Sequence, residues 1–383
     1  MYRSTSLLAL LLTVASLALS CNRVNAVQTE VNADSLNADT AQSVAEPAPA
    51  DSAPAAEEQI AVVAPAEPIV DTAHQLYSYD EMLEDLQQLQ KYFPQSISYE
   101  LLGKTDQGRQ LPVVYLGSKE APKKVLVTAA IHSREYMTAQ LAMAMLEFYA
   151  REYSTANYNG RTYASLFDEV CFVVMPMVNP DGVMIAQRGS STCTTAEAKA
   201  WVEAEVKKGA KTEQIKSNAR GIDLNRNFPY GFGKDPHRVG HKGFDHYNGE
   251  KPYSEAETMV MKQMADKYSY ECFLNYHTHG NLLYYGCKDD HLKDVNAKAL
   301  SLAKCIQGTT GYTPRAEVDA AYGSWADEAE SRYHKPSVTV EIGSRNPVPI
   351  SEFNSIFRKN RLAWAVVAHY YLQPAAAVAP KKQ

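Results

Sequence analysis

His132 and Glu135 stand three residues apart at the end of an apolar run, Val125-Leu126-Val127-Thr128-Ala129-Ala130-Ile131, which reads as a buried strand. An imidazole and a carboxylate spaced this way at a strand end can turn toward one metal ion. A second apolar run, Cys272-Phe273-Leu274-Asn275-Tyr276, ends in His277. Two close ligands and one distant ligand leave the fourth position of a tetrahedral ion open for water, as in catalytic rather than structural zinc. A structural site would use four ligands, usually cysteines, and none of the six cysteines has a Cys-x-x-Cys partner.

Glu341 lies inside Val338-Thr339-Val340-Glu341-Ile342-Gly343. A carboxylate within an apolar strand is costly unless it is paired or functional. Beside a metal it can take a proton from water and hand it to a leaving amine; otherwise it is a strand-end charge satisfied by an arginine. Asp223, Asn225 and Arg226 share one segment. A guanidinium beside a carboxamide suits a grip on a carboxylate, and Asp223 suits the second ring nitrogen of a metal-bound histidine, fixing its tautomer. The plainer reading of Asp223 and Arg226 is a loop ion pair. His279 is an alternative ligand, because residues two apart in an extended segment face the same way. His132 with Glu135 alone would read equally well as a surface pair at a helix start, but His277 and Glu341 at other strand ends argue for one site.

The elements that must position these groups alternate. Met82, Leu83, Leu86 and Leu89 form a stripe that predicts a helix over Tyr79–Tyr92. Strands are expected at 98–102, 111–116, 125–132, 170–178, 271–276 and 337–342, and helices at 137–153, 254–268, 295–308, 323–333 and 350–372. Asn179-Pro180-Asp181-Gly182 reads as a turn, and 194–216 as a charged, partly helical excursion. Apolar strands alternating with helices imply an α/β domain, with a mixed, largely parallel twisted sheet covered by helices on both faces. Ligand chemistry in such sheets sits at the carboxyl ends of strands, where His132, His277 and Glu341 fall.

The chain has 383 residues, 45% hydrophobic and 21% charged, enough for one large core. A net charge of −6 with no basic cluster argues against a nucleic-acid partner. Arg3, an apolar stretch from Leu7 to Leu19, then Ser20 and Cys21 read as a secretory signal over 1–21, too short to span a bilayer comfortably. Residues 22–74, rich in Ala, Pro and acids, are expected to be a disordered tether, 75–373 the folded domain, and 374–383 a flexible tail. With Cys21 set aside, five cysteines cannot all pair internally. Cys171 and Cys272, in strand-like runs, read as buried small hydrophobes.

Taken together, His132-Ser133-Arg134-Glu135, Asn179-Pro180-Asp181-Gly182, Asp223-Leu224-Asn225-Arg226-Asn227, His277 and Thr339-Val340-Glu341 resemble the zinc carboxypeptidases related to carboxypeptidase A, over roughly Tyr77 to Tyr371. The resemblance implies one zinc held by His132, Glu135 and His277, with Glu341 as general base and acid. It implies Asn225 and Arg226 on the substrate's terminal carboxylate, Arg134 near the scissile bond, and Asp223 behind His132. For the oxyanion it offers Lys216 or Arg220, and Tyr322 is the nearest counterpart of the family's mobile tyrosine. Gly103-Lys104-Thr105-Asp106-Gln107-Gly108-Arg109, His277-Thr278-His279-Gly280 with Tyr284-Tyr285-Gly286, and Gly343 through Asn346-Pro347-Val348-Pro349 to Phe353 look most like the bacterial γ-D-glutamyl-L-diamino acid endopeptidases, which cut peptidoglycan stem peptides. Leu17-Ala18-Leu19-Ser20-Cys21 resembles a lipoprotein box, which implies an exported enzyme of the cell envelope, lipid-anchored through Cys21 or periplasmic, or else secreted. The rival expectations are a metallocarboxypeptidase of ordinary peptides, a zinc deacylase of N-acyl amino acids, and a catalytically idle cell-wall-binding module.

Overall fold

The computed structural model describes residues 63–316 and 322–373. The expected signal and Cys21, the tether up to residue 62 and the tail from 374 lie outside the described residues. Strands β1 (Ile97–Leu102), β2 (Leu111–Leu116), β3 (Lys123–Ala129), a small hairpin β4–β5 (Asn157–Tyr158, Arg161–Thr162), β6 (Val170–Met175), β7 (Cys272–Thr278), β8 (Leu282–Tyr285), β9 (Thr313–Ala316) and β10 (Ser337–Ile342) are joined by helices. These are α1 (Tyr79–Tyr92), α2 (Met137–Arg151), α3 (Tyr163–Phe167), α4 (Pro180–Arg188), α5 (Ala196–Lys207), α6 (Ala256–Lys267), α7 (Lys293–Thr310), α8 (Trp325–Tyr333), α9 (Phe353–Asn360) and α10 (Ala363–Leu372). Among the described residues, eight strands form one sheet in the order β1-β2-β6-β3-β7-β10-β8-β9. Its centre, β6-β3-β7-β10, is parallel, while β1, β2 and β8 run antiparallel to their inner neighbours.

The two-residue period of the strands divides the core. Val125, Val127, Phe172, Leu274, Tyr276, Val338 and Val340 pack with α1, α2, α7 and α10 on one face. Leu126, Cys171, Val173 and Phe273 pack with Val260, Met261 and Met264 of α6 and Trp325 of α8 on the other. Burial on both faces is why these strands read as continuous apolar runs. Cys171 and Cys272 are buried and unbridged, as small hydrophobes. None of the helices among the described residues is long and apolar enough to cross a membrane.

The boundary expected at residue 75 falls too late. Val70 is buried, and the backbone N–H groups of Ile69 and Val70 donate to the Glu147 carboxylate of α2 at 2.7 and 2.9 Å. Arg151 reaches the carbonyls of Pro65 and Glu67, and Gln140 those of Asp71 and His74. Val70 joins the main core with Ala64 and Ile69 packed against it, and α2 supplies the partners the backbone of this stretch needs. Two other expectations also change. Asn179-Pro180-Asp181-Gly182 opens α4, with the Asn179 side chain accepting from the Gly182 N–H and Pro180 at the first turn. Turn chemistry and helix-start chemistry use the same residues. The helix expected over 350–372 is broken at 361–362, where Asn360 turns its amide back to the Ile356 carbonyl and to Tyr312. Strands β8 and β9, four residues each at the sheet edge, were too short to stand out.

Candidate active site

His277 and Glu341 are register partners on the parallel strands β7 and β10. Since Tyr276 and Val340 face the α2 side of the sheet, His277 and Glu341 stand side by side on the opposite face, at the carboxyl ends of their strands. His132 arrives differently. β3 stops at Ala129, Ala130 takes φ 49°, and Ser133–Glu135 make one tight 3₁₀ turn rather than a strand end. That turn is held by its neighbours: the Ser133 and Arg134 N–H groups donate to the carbonyls of Lys216 and Ile215 at 3.2 and 3.0 Å. Asn179, while capping α4, donates its amide to the Ile131 carbonyl and the Ser133 hydroxyl, both at 3.1 Å.

The result is a converging triad. The Nδ1 atoms of His132 and His277 lie 2.9 and 3.0 Å from the two oxygens of Glu135, and the two rings are 4.9 Å apart. The three residues are buried, and their ligand atoms fall within 4.8 Å of one another. Two imidazoles and a carboxylate with one side open to a cleft are the donor set of catalytic zinc. Nε2 of His132 faces Asp223 Oδ1 at 3.4 Å, and Asp223 is fully buried, accepting from the N–H groups of Asn225 and His246. Burial opposes charge on Glu135, but the two imidazoles hold its carboxyl well below the usual range. Burial likewise pulls the His132 ring down, and Glu135 and Asp223 together raise it above its ordinary value.

A cleft of about 300 Å³ opens on the triad. Of the residues expected from the sequence, Arg134, Lys216, Asn225, Arg226 and Glu341 all line it. Asn225 accepts from the Trp325 N–H through Oδ1, so its amide N–H groups are what it offers a ligand. Three expectations are not met. Arg220 lies outside the cleft, facing Glu255 at 3.3 Å and 45% exposed, within a turn over Asn218–Gly221 closed by the Gly221 N–H on the Asn218 carbonyl at 3.0 Å. Tyr322 does not line the cleft; its ring lies against Gly231. His279 borders the cleft but is exposed and outside the triad. Thr278, Tyr284, Ser324, Ala326, Thr339 and Asn346 line the cleft without having been singled out as site residues. Thr339 was open to discovery, since it shares the Glu341 face two residues earlier; the others come from loops, edges and helix starts whose placement no local period encodes.

A model of the family described as zinc carboxypeptidase matches residues 82–343. The chain belongs to the zinc carboxypeptidase family. It is 26% identical over 293 residues to gamma-D-glutamyl-L-diamino acid endopeptidase 1 of Lysinibacillus sphaericus, covering 74% of this chain and 70% of that protein. It is 27% identical over 254 residues to metallocarboxypeptidase A of Trichophyton rubrum, covering 61% and 54%. Among solved structures, thrombin activatable fibrinolysis inhibitor shares the fold with a TM-score of 0.62 at 18% identity, covering 79% and 76% of the two chains. The carboxypeptidase A of Helicoverpa armigera does so with 0.57 at 20%, covering 80% and 75%. This zinc carboxypeptidase is thus a metallopeptidase-type hydrolase, and His132, Glu135 and His277 form a triad fit for its metal.

Helix α6 carries a buried acidic group with a pH consequence. Glu257 sits beside Glu255, both accepting from the Asn218 amide. Burial, then the charges of Asp181 and Glu255, push Glu257 up from 4.5 to about 8. Its native form therefore holds a proton that the unfolded chain releases, so stability declines as pH rises from about 4.5 to about 8 and stays reduced above. Glu257→Gln is expected to raise the thermal midpoint at about pH 9 and to flatten part of that decline, measured as midpoint against pH. Parallel curves for the two proteins would remove Glu257 from this role.

Proposed function

We propose that this enzyme hydrolyses an amide bond near the carboxyl end of peptides, and that its natural substrates are peptidoglycan stem peptides cut between γ-D-glutamate and the diamino acid. The observation that carries the hydrolytic reading is the placement of Glu341 beside His277, with Arg226 and Asn225 on the same cleft. Zinc, when bound, supplies Lewis acidity toward water and the scissile carbonyl. Glu341 accepts the proton from the attacking water and returns it to the leaving amine. Lys216, the cation that lines the cleft where Arg220 does not, stabilises the negative charge that grows on the carbonyl oxygen. Arg226 and the Asn225 amide hold the substrate's carboxylate, and Arg134 contacts the peptide near the cut. Asp223 fixes the His132 tautomer.

The finer substrate is supported by likeness to the Lysinibacillus endopeptidase, by the segments around His277 and Asn346, and by the signal-like residues 1–21. The last of these also supports an exported enzyme, lipid-anchored through Cys21, periplasmic or secreted. Mass spectrometry of stem peptides, ordinary peptides and N-acetyl amino acids incubated with zinc-loaded protein tests the reading. Diamino acid fragments released from stem peptides well ahead of the other two classes are expected. Preferential trimming of ordinary peptides or N-acetyl amino acids would replace this substrate class, and binding to peptidoglycan without any product would replace the enzyme by a binding module.

A further inference from the structure

The carboxylate clamp is itself contacted by an irregular loop, through one acidic residue of that loop. Between Phe228 and Asn248 the chain forms no regular element, yet it is anchored at both ends: the Phe228 N–H donates to the Gly323 carbonyl at 3.1 Å, while at the far end the Asp223 N–H donates to the Tyr247 carbonyl at 2.8 Å and the His246 N–H to Asp223 Oδ2 at 3.2 Å. From this loop Asp235 reaches Arg226, with Oδ2 2.7 Å from Nε. The same oxygen lies 2.9 Å from His246 Nδ1, while Oδ1 accepts from the His237 N–H. The two side chains of the ion pair are 14% and 7% exposed. On its other side Arg226 donates one terminal nitrogen to the Asn225 carbonyl at 2.8 Å. A guanidinium is planar, so bonds at Nε and at one Nη fix the plane in which the rest of the fork lies.

We infer that Asp235 is a positioning residue for substrate recognition, setting the plane and register of the Arg226 fork so that it meets a carboxylate edge-on. The inference rests on the reading of Arg226 as the substrate's carboxylate clamp. It follows from chemistry that a long arginine side chain left to several rotamers loses most of the advantage of its fork. Burial works against the Asp235 charge, and His246, the His237 N–H and Arg226 together keep its carboxyl below the usual range. A clamp that grips the carboxylate equally in ground and transition state governs KM more than kcat.

The test compares a stem tripeptide ending in a free carboxylate with the same peptide ending in a carboxamide, for the full-length wild type, Asp235→Asn, Asp235→Ser, Asp235→Glu, Arg226→Gln and the Asp235→Asn/Arg226→Gln double variant. Thermal midpoints show which variants are folded. Asp235→Asn is expected to lower the carboxylate-over-carboxamide preference by about tenfold or more, through KM rather than kcat. Asp235→Glu should restore part of it, and the double variant should be no worse than Arg226→Gln alone. If Asp235→Asn and Asp235→Ser keep the preference while Arg226→Gln loses it, the inference is overturned and the clamp stands. If Arg226→Gln also keeps the preference, the clamp reading fails and takes the inference with it. An equal loss on both peptides, falling on kcat, would mark Asp235 as merely structural and equally overturn it.

Discussion

Glu341→Gln is expected to bind its metal as the wild type does and to lose about 10²–10⁴-fold in kcat. Glutamine keeps the shape and the hydrogen-bonding reach of glutamate but cannot take up a proton. The geometry makes the role specific: Glu341 is the direct register partner of His277, on the same face of adjacent parallel strands, while its neighbours Val340 and Ile342 are in the core behind. It stands next to the triad without being one of its members, whose ligand atoms are those of His132, Glu135 and His277. Loss of turnover with retained metal separates proton transfer from ligation. Metal content and kcat measured on the same preparation check it, and a variant within about tenfold of wild-type kcat would assign the proton transfer elsewhere.

Removing the metal should cost both activity and stability. Without an ion, the buried Glu135 carboxylate is met by the two imidazoles at 2.9 and 3.0 Å and by the Thr278 N–H at 3.3 Å, with no divalent charge to balance it. An ion bound a thousandfold above its dissociation constant contributes about 4 kcal/mol to folding stability. For a domain of this size that corresponds to a fall in thermal midpoint on the order of 10 °C on stripping with a chelator. Zinc should restore both the midpoint and the activity. The effect should be easier to produce at lower pH, because Glu135 and Asp223 raise the His132 pKa and a proton there competes with the ion. A protein that keeps its activity and midpoint through exhaustive chelation would not depend on the triad at all.

What the sequence shows and what it hides divide along physical lines. The triad and Glu341 were legible because each sits at or near the end of an apolar run, and strands announce themselves by composition. The sheet was legible for the same reason, its central strands being buried on both faces. Even so, His132 reaches the site by a 3₁₀ turn after Ala129 and not at the strand's last residue. The choice between Lys216 and Arg220 was not legible. Both offer cationic chemistry within a few residues, and only the turn at Gly221 and the pull of Glu255 decide which faces the cleft. Asp235 was equally hidden, since nothing in a Gly- and His-rich loop marks the one carboxylate that folds back on Arg226. The stretch from residue 63 to 74 escaped because its composition shows no period, and the partners of its backbone, Glu147 and Arg151, lie on a helix far along the chain.

The zinc content of wild type, Glu341→Gln and His277→Ala, purified side by side and assayed by elemental analysis, bears most directly on the convergence of two imidazoles and a carboxylate upon one ion. About one zinc per chain is predicted in the first two and less than about a tenth in the third, since a catalytic site has three protein ligands and no spare. Full zinc occupancy in His277→Ala would contradict it.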